Sequence, residues 1–177
     1  MKRTTLAVAA LLAASFAMTQ VAAAQSKYIW IGGAAAMPIG DSKDGLKTGY
    51  MGDVGFGLPM NDKLDVQLGV LFGNNKHKIG NGSTDLLAGT VGLGYALTTG
   101  ATINPYLLGS VGMLRADGGG PEAETDFMFQ GGGGISGELS PNLGWWIEAR
   151  YLQSGSGNTK LMLMPIAGGI SIRFGGG

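Results

Sequence analysis

Leu64-Asp65-Val66-Gln67-Leu68-Gly69-Val70-Leu71-Phe72 changes chemistry almost residue by residue. Leu64, Val66, Leu68, Val70 and Phe72 share one parity, while Asp65 and Gln67 share the other. Side chains of a β-strand point alternately to opposite faces, so this stretch predicts a strand with one apolar and one polar face. The split recurs upstream, where Tyr50, Val54, Phe56 and Leu58 oppose Asp53. It recurs downstream, where Leu143, Trp145, Ile147, Ala149 and Tyr151 oppose Glu148 and Arg150.

Working outward from these segments, eight strands can be laid along the chain. They are expected at Lys27–Met37, Lys47–Leu58, Lys63–Phe72, Thr84–Leu97, Thr102–Leu114, Thr125–Leu139, Leu143–Gln153 and Thr159–Phe174. Each reaches the roughly 9–11 tilted residues that cross a bilayer. Pro59–Asp62, Thr98–Ala101 and Ser140–Asn142 are short and turn-like. Ile39–Leu46, Gly73–Ser83, Arg115–Glu124 and Ser154–Asn158 are mostly longer and rich in Gly, Asn and charge. Short turns at one end and long loops at the other are the layout of an outer-membrane barrel, with both strand termini on the short-turn side.

Ahead of the strands, Lys2 and Arg3 precede an apolar stretch from Leu6 to Met18, followed by Ala22-Ala23-Ala24. A basic start, a short apolar run and small residues at the cut make a secretory signal peptide, residues 1–24, with the barrel domain expected over 25–177. The apolar run is short for a membrane helix of about 20 residues. No linker, internal repeat or second domain is read. The formal net charge is zero, which gives a nucleic-acid partner no electrostatic support. There is no Cys, hence no disulfide framework and no thiolate metal site. A small exported domain without disulfides needs another source of stability, and a closed barrel pairs every strand edge. Only 14% of residues are charged, below the roughly 25–35% of a soluble surface.

Alternation does not say which parity faces out, since a soluble carrier barrel alternates with its apolar side inward. Two features favour lipid contact by the apolar side. The polar parity is mostly small, with Gly55, Gly57, Gly69, Ala88, Thr90, Gly92, Gly94, Gly132, Gly134, Ser136 and Ser171. Such residues suit the cramped interior of eight strands, which side chains fill. The apolar parity carries Tyr50, Phe72, Tyr95, Phe127, Trp145, Tyr151 and Phe174 towards strand ends, where aromatic girdles are expected. Lys160 falls on the lipid parity near a strand end, where it can snorkel. The first and fifth strands are ambiguous. Tyr28 and Trp30 compete with Ile29 and Ile31 for the outer face, and Tyr106 and Leu108 fall on the inner parity. Pro165 removes a ladder hydrogen bond, so a bulge is expected there, or pairing only beyond it. Gly131–Gly134 is expected to let the wall curve, with Trp145 or Trp146 covering its backbone.

The inner parity collects Asp53, Asp65, Gln67, Glu138, Glu148, Arg150 and Arg173. Closure of the last strand on the first would bring Arg173 and Arg150 towards the carboxylates of strands two and three. The expectation is a charge-compensated network that plugs a narrow barrel; a small-ion pore is the alternative. Acid–base catalysis would need a substrate-sized cleft. His77, the only histidine, lies in the second long loop between Lys76 and Lys78. Asp41, Asp44, Glu122, Glu124 and Asp126 read as solvated loop or rim carboxylates, since a calcium site needs six to eight organised oxygens and no D-x-D-x-D-G loop is present. Gly55-Phe56-Gly57 and Gly92-Leu93-Gly94 lack the third glycine of a dinucleotide fingerprint and sit inside strands. No catalytic residue, metal or cofactor is assigned.

The signal peptide, the eight-strand rhythm and the last strand, Gly169-Ile170-Ser171-Ile172-Arg173-Phe174, together resemble the small outer-membrane β-barrel family, which includes opacity-type proteins and the OmpA-like transmembrane domain. In that resemblance Gly169, Ile172 and Phe174 belong to an assembly signal read by the outer-membrane insertion machinery. Ala167 stands where a polar residue is usual, and Gly175-Gly176-Gly177 follow the aromatic. Barrel enzymes that deacylate lipid A are similar in size, but carry a serine two residues after the histidine, where this chain has Ile79. No peptidoglycan-binding domain is expected after the barrel.

The resulting expectation is an all-β, eight-stranded antiparallel up-and-down transmembrane barrel in a Gram-negative outer membrane. It would be a monomer in contact with outer-membrane lipid and lipopolysaccharide, non-catalytic, with a structural or surface-interaction role. A small passive pore, a lipid-modifying enzyme and a soluble carrier are the alternatives.

Overall fold

A computed structural model describes residues 26–118, 123–155 and 160–175. The signal-peptide segment, Glu122, Asn158, Thr159, Gly176 and Gly177 lie outside the described residues. The strands are β1 (Lys27–Pro38), β2 (Gly49–Pro59), β3 (Leu64–Lys76), β4 (Ser83–Ala96), β5 (Ile103–Asp117), β6 (Glu124–Ser140), β7 (Leu143–Ser154) and β8 (Leu161–Phe174). One helical turn, α1 (Ser42–Gly45), sits in the first long loop. The eight strands form one closed barrel in chain order, each antiparallel to its neighbour, with β8 returning to β1. Closure leaves no unpaired edge, the condition for strands to lie in hydrocarbon.

The apolar parity faces outward. Ile31 is 58% exposed, and Leu68, Val70, Leu107, Ile147 and Ile172 are likewise exposed. Val66 shares their parity but is buried, lying in register between Leu58 and Leu93. The two ambiguous strands resolve. Ile29 and Ile31 face out, and Tyr28 and Trp30 line the interior. Leu107 and Val111 face out, and Tyr106 and Leu108 line the interior. The tyrosines go inside because each finds a carboxylate for its hydroxyl there, a requirement for a buried phenol. Tyr28 Oη donates to Asp65 at 2.6 Å, and Tyr106 Oη donates to Glu148 at 2.6 Å.

Two local expectations fail. Pro165 makes no bulge: β8 keeps one register against β1 through Ala36↔Pro165 and one register against β7 on both sides of the proline. Against β7 no pair is formed between Ala149↔Ile166 and Leu152↔Leu163, so the missing N–H opens a gap without shifting the ladder. The bulge lies instead in β6, between Glu138 and Ser140 next to the β6–β7 turn. Neither tryptophan covers Gly131–Gly134, which pair with Tyr151, Arg150, Ala149 and Glu148. Trp145 lies opposite Gly137, and Trp146 packs over Gly32 and Gly169. A Cβ on Gly132 or Gly134 would strike the β7 backbone, so these glycines permit close strand approach where Arg150 and Glu148 need room inside.

Glycine and aromatic ring are paired elsewhere in the wall. Tyr28 is opposite Gly57, Trp30 opposite Gly55, and Phe72 opposite Gly52, each ring filling the place of the missing Cβ. β3 also runs four residues past its expected end at Phe72. Asn74, Asn75 and Lys76 are turn-like by composition, yet they pair with Asp85, Thr84 and Ser83. Their side chains explain this: Asn74 Nδ2 donates to Asp85 at 2.7 Å, and buried Asn75 donates to the carbonyls of Ala36 and Lys47, each at 3.0 Å.

Candidate functional site

Along the barrel axis the interior divides into two halves. The half nearer the long loops is apolar. Met51, Leu71, Leu114, Met128, Leu152 and Leu163 are at most 5% exposed and form one cluster with Ala36, Leu86 and Ala88. Each of the eight strands contributes at least one side chain to this layer. Burying each Leu or Met stabilises by about 1.5–3 kcal/mol relative to water. A constriction of this kind also resists wetting and ion entry.

The half nearer the short turns is polar, and the expected single network separates into three groups. At mid-barrel, Arg150 Nη2 pairs with Asp53 Oδ2, and Arg150 Nε lies 2.5 Å from Glu148 Oε1. All three side chains are buried, and Tyr106 anchors the second oxygen of Glu148. Gln130 extends the group, with its Nε2 donating to Ser110 Oγ at 2.8 Å and its Oε1 3.5 Å from Arg150 Nη1. Nearer the turns, Asp65 is held apart from any guanidinium: Oδ2 accepts from Tyr28, and Oδ1 accepts from Gln67 Nε2 at 3.0 Å. Arg173 does not reach Asp53 or Asp65. It pairs with Glu138 at the rim, where both side chains are substantially solvent-exposed. The reason is axial position: Arg173 lies opposite Tyr28 at the very start of β1.

These groups surround a cavity of about 280 Å³. Its lining runs from Trp30, Trp146 and Arg150 inside to Pro59, Asn61 and Lys63 of the β2–β3 turn, so it opens on the short-turn side. The apolar layer closes its other end. Tyr28, Tyr106, Gln130 and the apolar layer are participants that the sequence reading did not single out. Their common signal was available: a large side chain on the inner parity.

The long loops are organised from β1 round to β4. Lys47 N donates to Lys76 O and Lys78 N to Gly45 O, both at 2.8 Å, tying the first loop to the second. Ser42 ties the first loop to the start of β8, its Oγ accepting from Met162 N at 2.8 Å and donating to Lys160 O at 3.2 Å. His77 Nε2 lies 2.9 Å from Thr84 Oγ1. No serine or carboxylate completes a catalytic relay at this histidine among its described hydrogen bonds. Among the described residues, no group of three or more His, Cys, Asp or Glu side chains could hold a metal ion.

The outward aromatics fall into two sets. Tyr50, Phe72, Phe127 and Tyr151 lie on the long-loop half, and Tyr95, Trp145 and Phe174 near the short turns. Gly169 and Ile172 occupy β8 beside Gly32 and Ile29 of β1.

Residues 7–174 match the family described as outer membrane protein beta-barrel domain. The chain is 30% identical over 125 residues to the autotransporter adhesin/invasin TibA of Escherichia coli O78:H11 (strain H10407 / ETEC). That match covers 64% of this chain and 12% of the relative, so the chain spans only a small part of that protein. Neisserial surface protein A superposes with a TM-score of 0.65 at 20% identity, covering 84% of this chain and 97% of that one. The outer membrane protein OprG of Pseudomonas aeruginosa superposes with a TM-score of 0.60 at 16% identity, covering 86% and 97%. At these identities the two structures establish likeness of fold.

Proposed function

This chain belongs to the outer-membrane β-barrel domain family, and on that premise we propose that it is a monomeric, non-catalytic barrel of the Gram-negative outer membrane that works through its loop surface. The observation that carries this reading is the apolar layer built from all eight strands. It sets the lumen apart from the long-loop face and leaves the loops as the surface available to partners. The stapling of the first loop to the second and to β8 supports the same reading, because a pre-ordered surface loses less entropy on binding. The adhesin/invasin relative is consistent with a surface role, here taken as adhesion.

Residues 1–24 act as the export signal, 25–177 form the barrel domain, and Gly169, Ile172 and Phe174 present the last strand to the insertion machinery. The two sets of outward aromatics serve as interfacial girdles. Lipopolysaccharide of the outer leaflet meets the loop-side set and the exposed Lys76, Lys78 and Lys160. A closed barrel has no edge that demands a second copy.

The test compares cells displaying the chain with cells displaying a version whose residues 41–46 and 78–82 are replaced by Gly-Ser turns. Adhesion to epithelial monolayers should fall while surface display stays equal. Equal adhesion overturns the loop-surface reading. In planar bilayers the purified protein should be electrically silent; reproducible conductance steps would favour a pore. Incubation with lipopolysaccharide should leave the lipid A mass unchanged, and a lost acyl chain would favour an enzyme.

A further inference from the structure

We propose that the cavity on the short-turn side binds a small quaternary ammonium ion of the choline class. Its shape is a cup, about 280 Å³ in volume, open past the β2–β3 turn and closed by the apolar layer. It suits a small guest at the low end of ligand pockets.

The charge of the lining selects the sign of the guest. At the mouth Asp62 offsets Lys63, and Glu138 offsets Arg173. Deeper in, Asp53, Asp65 and Glu148 face a single cation, Arg150. Arg150 is engaged with Asp53 and Glu148, which leaves Asp65 held by neutral donors alone: Tyr28, Gln67 and the backbone N–H of Gly94. Asp53 Oδ1, buried at the inner end, also has no hydrogen-bond donor. The lining therefore carries surplus negative charge behind low-dielectric walls, which attracts a cation.

The hydrogen-bond pattern selects the kind of cation. Both oxygens of Asp65 already accept a bond, so a guest that brings charge without N–H groups leaves that arrangement intact. The adjoining walls are aromatic: Tyr28 and Trp30 have ring centroids 5.9 Å apart at 43°, and Trp146 lines the same cavity. Rings beside a carboxylate form the environment in which quaternary ammonium groups are held by cation–π attraction. A bare divalent cation fits less well, since it needs six to eight oxygen ligands. In an outer-membrane barrel the short turns face the periplasm, so the guest enters and leaves from that compartment.

The test follows tryptophan fluorescence of the purified barrel in detergent and phosphate buffer during titration with choline, phosphocholine and 3,3-dimethylbutan-1-ol, the uncharged isostere of choline. Choline should give a saturable change. The isostere should bind at least tenfold more weakly, and phosphocholine should also be weaker, which separates the free ion from a lipid headgroup. Asp65→Asn should weaken choline at least tenfold, with folding checked by heat-modifiable gel mobility. If that variant does not fold, the wild-type comparison still decides. No saturable change, equal binding of choline and its isostere, or phosphocholine binding as tightly as choline would each overturn the proposal.

Discussion

The two halves of the lumen are built by the same strands on the same inward parity, yet one is hydrocarbon and the other is polar. In the loop half, Leu114, Leu152 and Leu163 need nothing but contact with one another. In the turn half, the buried tyrosines and charged side chains depend on specific partners, as Tyr106 does on Glu148 and Tyr28 on Asp65. The contrast teaches that an eight-stranded interior can be filled by two routes. One is tolerant of substitution among similar volumes. The other fails when one member is removed, because its neighbours keep their burial and lose their compensation.

The largest effect should come from breaking the polar half at its centre. Arg150→Ala leaves Asp53 and Glu148 buried without a cation, and should destabilise the folded barrel by about 3–5 kcal/mol in denaturant titrations. Replacing Asp53, Glu148 and Arg150 together by apolar residues of similar volume should cost far less, since it extends the chemistry of the loop half downward. An unchanged midpoint in Arg150→Ala would remove the network from any account of stability.

In the loop half, Leu152→Ala opens a cavity in a fully buried layer and should cost about 2–5 kcal/mol by the same titration. The spread reflects how far Met128, Leu114 and Leu163 can collapse into the space. Both halves assume that the other parity lies in lipid. Ile147→Lys, between Trp145 and Tyr151 on the outer face, should then cost about 2–4 kcal/mol near the bilayer midplane in refolding into vesicles. A neutral result there would mean that this outer face does not lie in hydrocarbon.

Two smaller effects mark the ends of the lumen. Asn75→Ala removes both bonds that its side chain makes to Ala36 and Lys47, and should cost about 1–3 kcal/mol while making the first two loops easier to cleave by protease. Glu138→Gln at the opposite rim should change stability by about 1 kcal/mol or less, because the partially exposed pair is screened, and added salt should erase the difference.

Much of this was legible in particular residues. Asp65 and Gln67 against Val66 and Leu68 identified the strand, and the rhythm of short turns and long loops identified the barrel. Tyr28 and Trp30 could not be assigned from their own segment, because Ile29 and Ile31 are apolar too. What decides between the parities is across the strand: Gly57 and Gly55 lie opposite the two rings, and Asp65 waits for the phenol. Pro165 misled because loss of one N–H says nothing about whether the neighbouring pairs hold the ladder in place. Asn74 and Asn75 misled because turn composition is also what a capped, side-chain-bonded strand end requires.

The chain by itself determined strand and closure, and parity everywhere but in β1 and β5, because these follow from period-two alternation and from the rule that backbone polar groups in lipid must be paired within the wall. Only the tertiary structure decided where along the axis each inward residue falls. Stagger between strands brings Arg150 of β7 to Asp53 of β2 across the lumen, 97 residues apart in the chain, and leaves Arg173 with Glu138 at the rim. It also gathers apolar side chains from all eight strands into one layer. Alternation is a local property of each strand, whereas axial level and contact across the lumen depend on the register of the whole closed sheet.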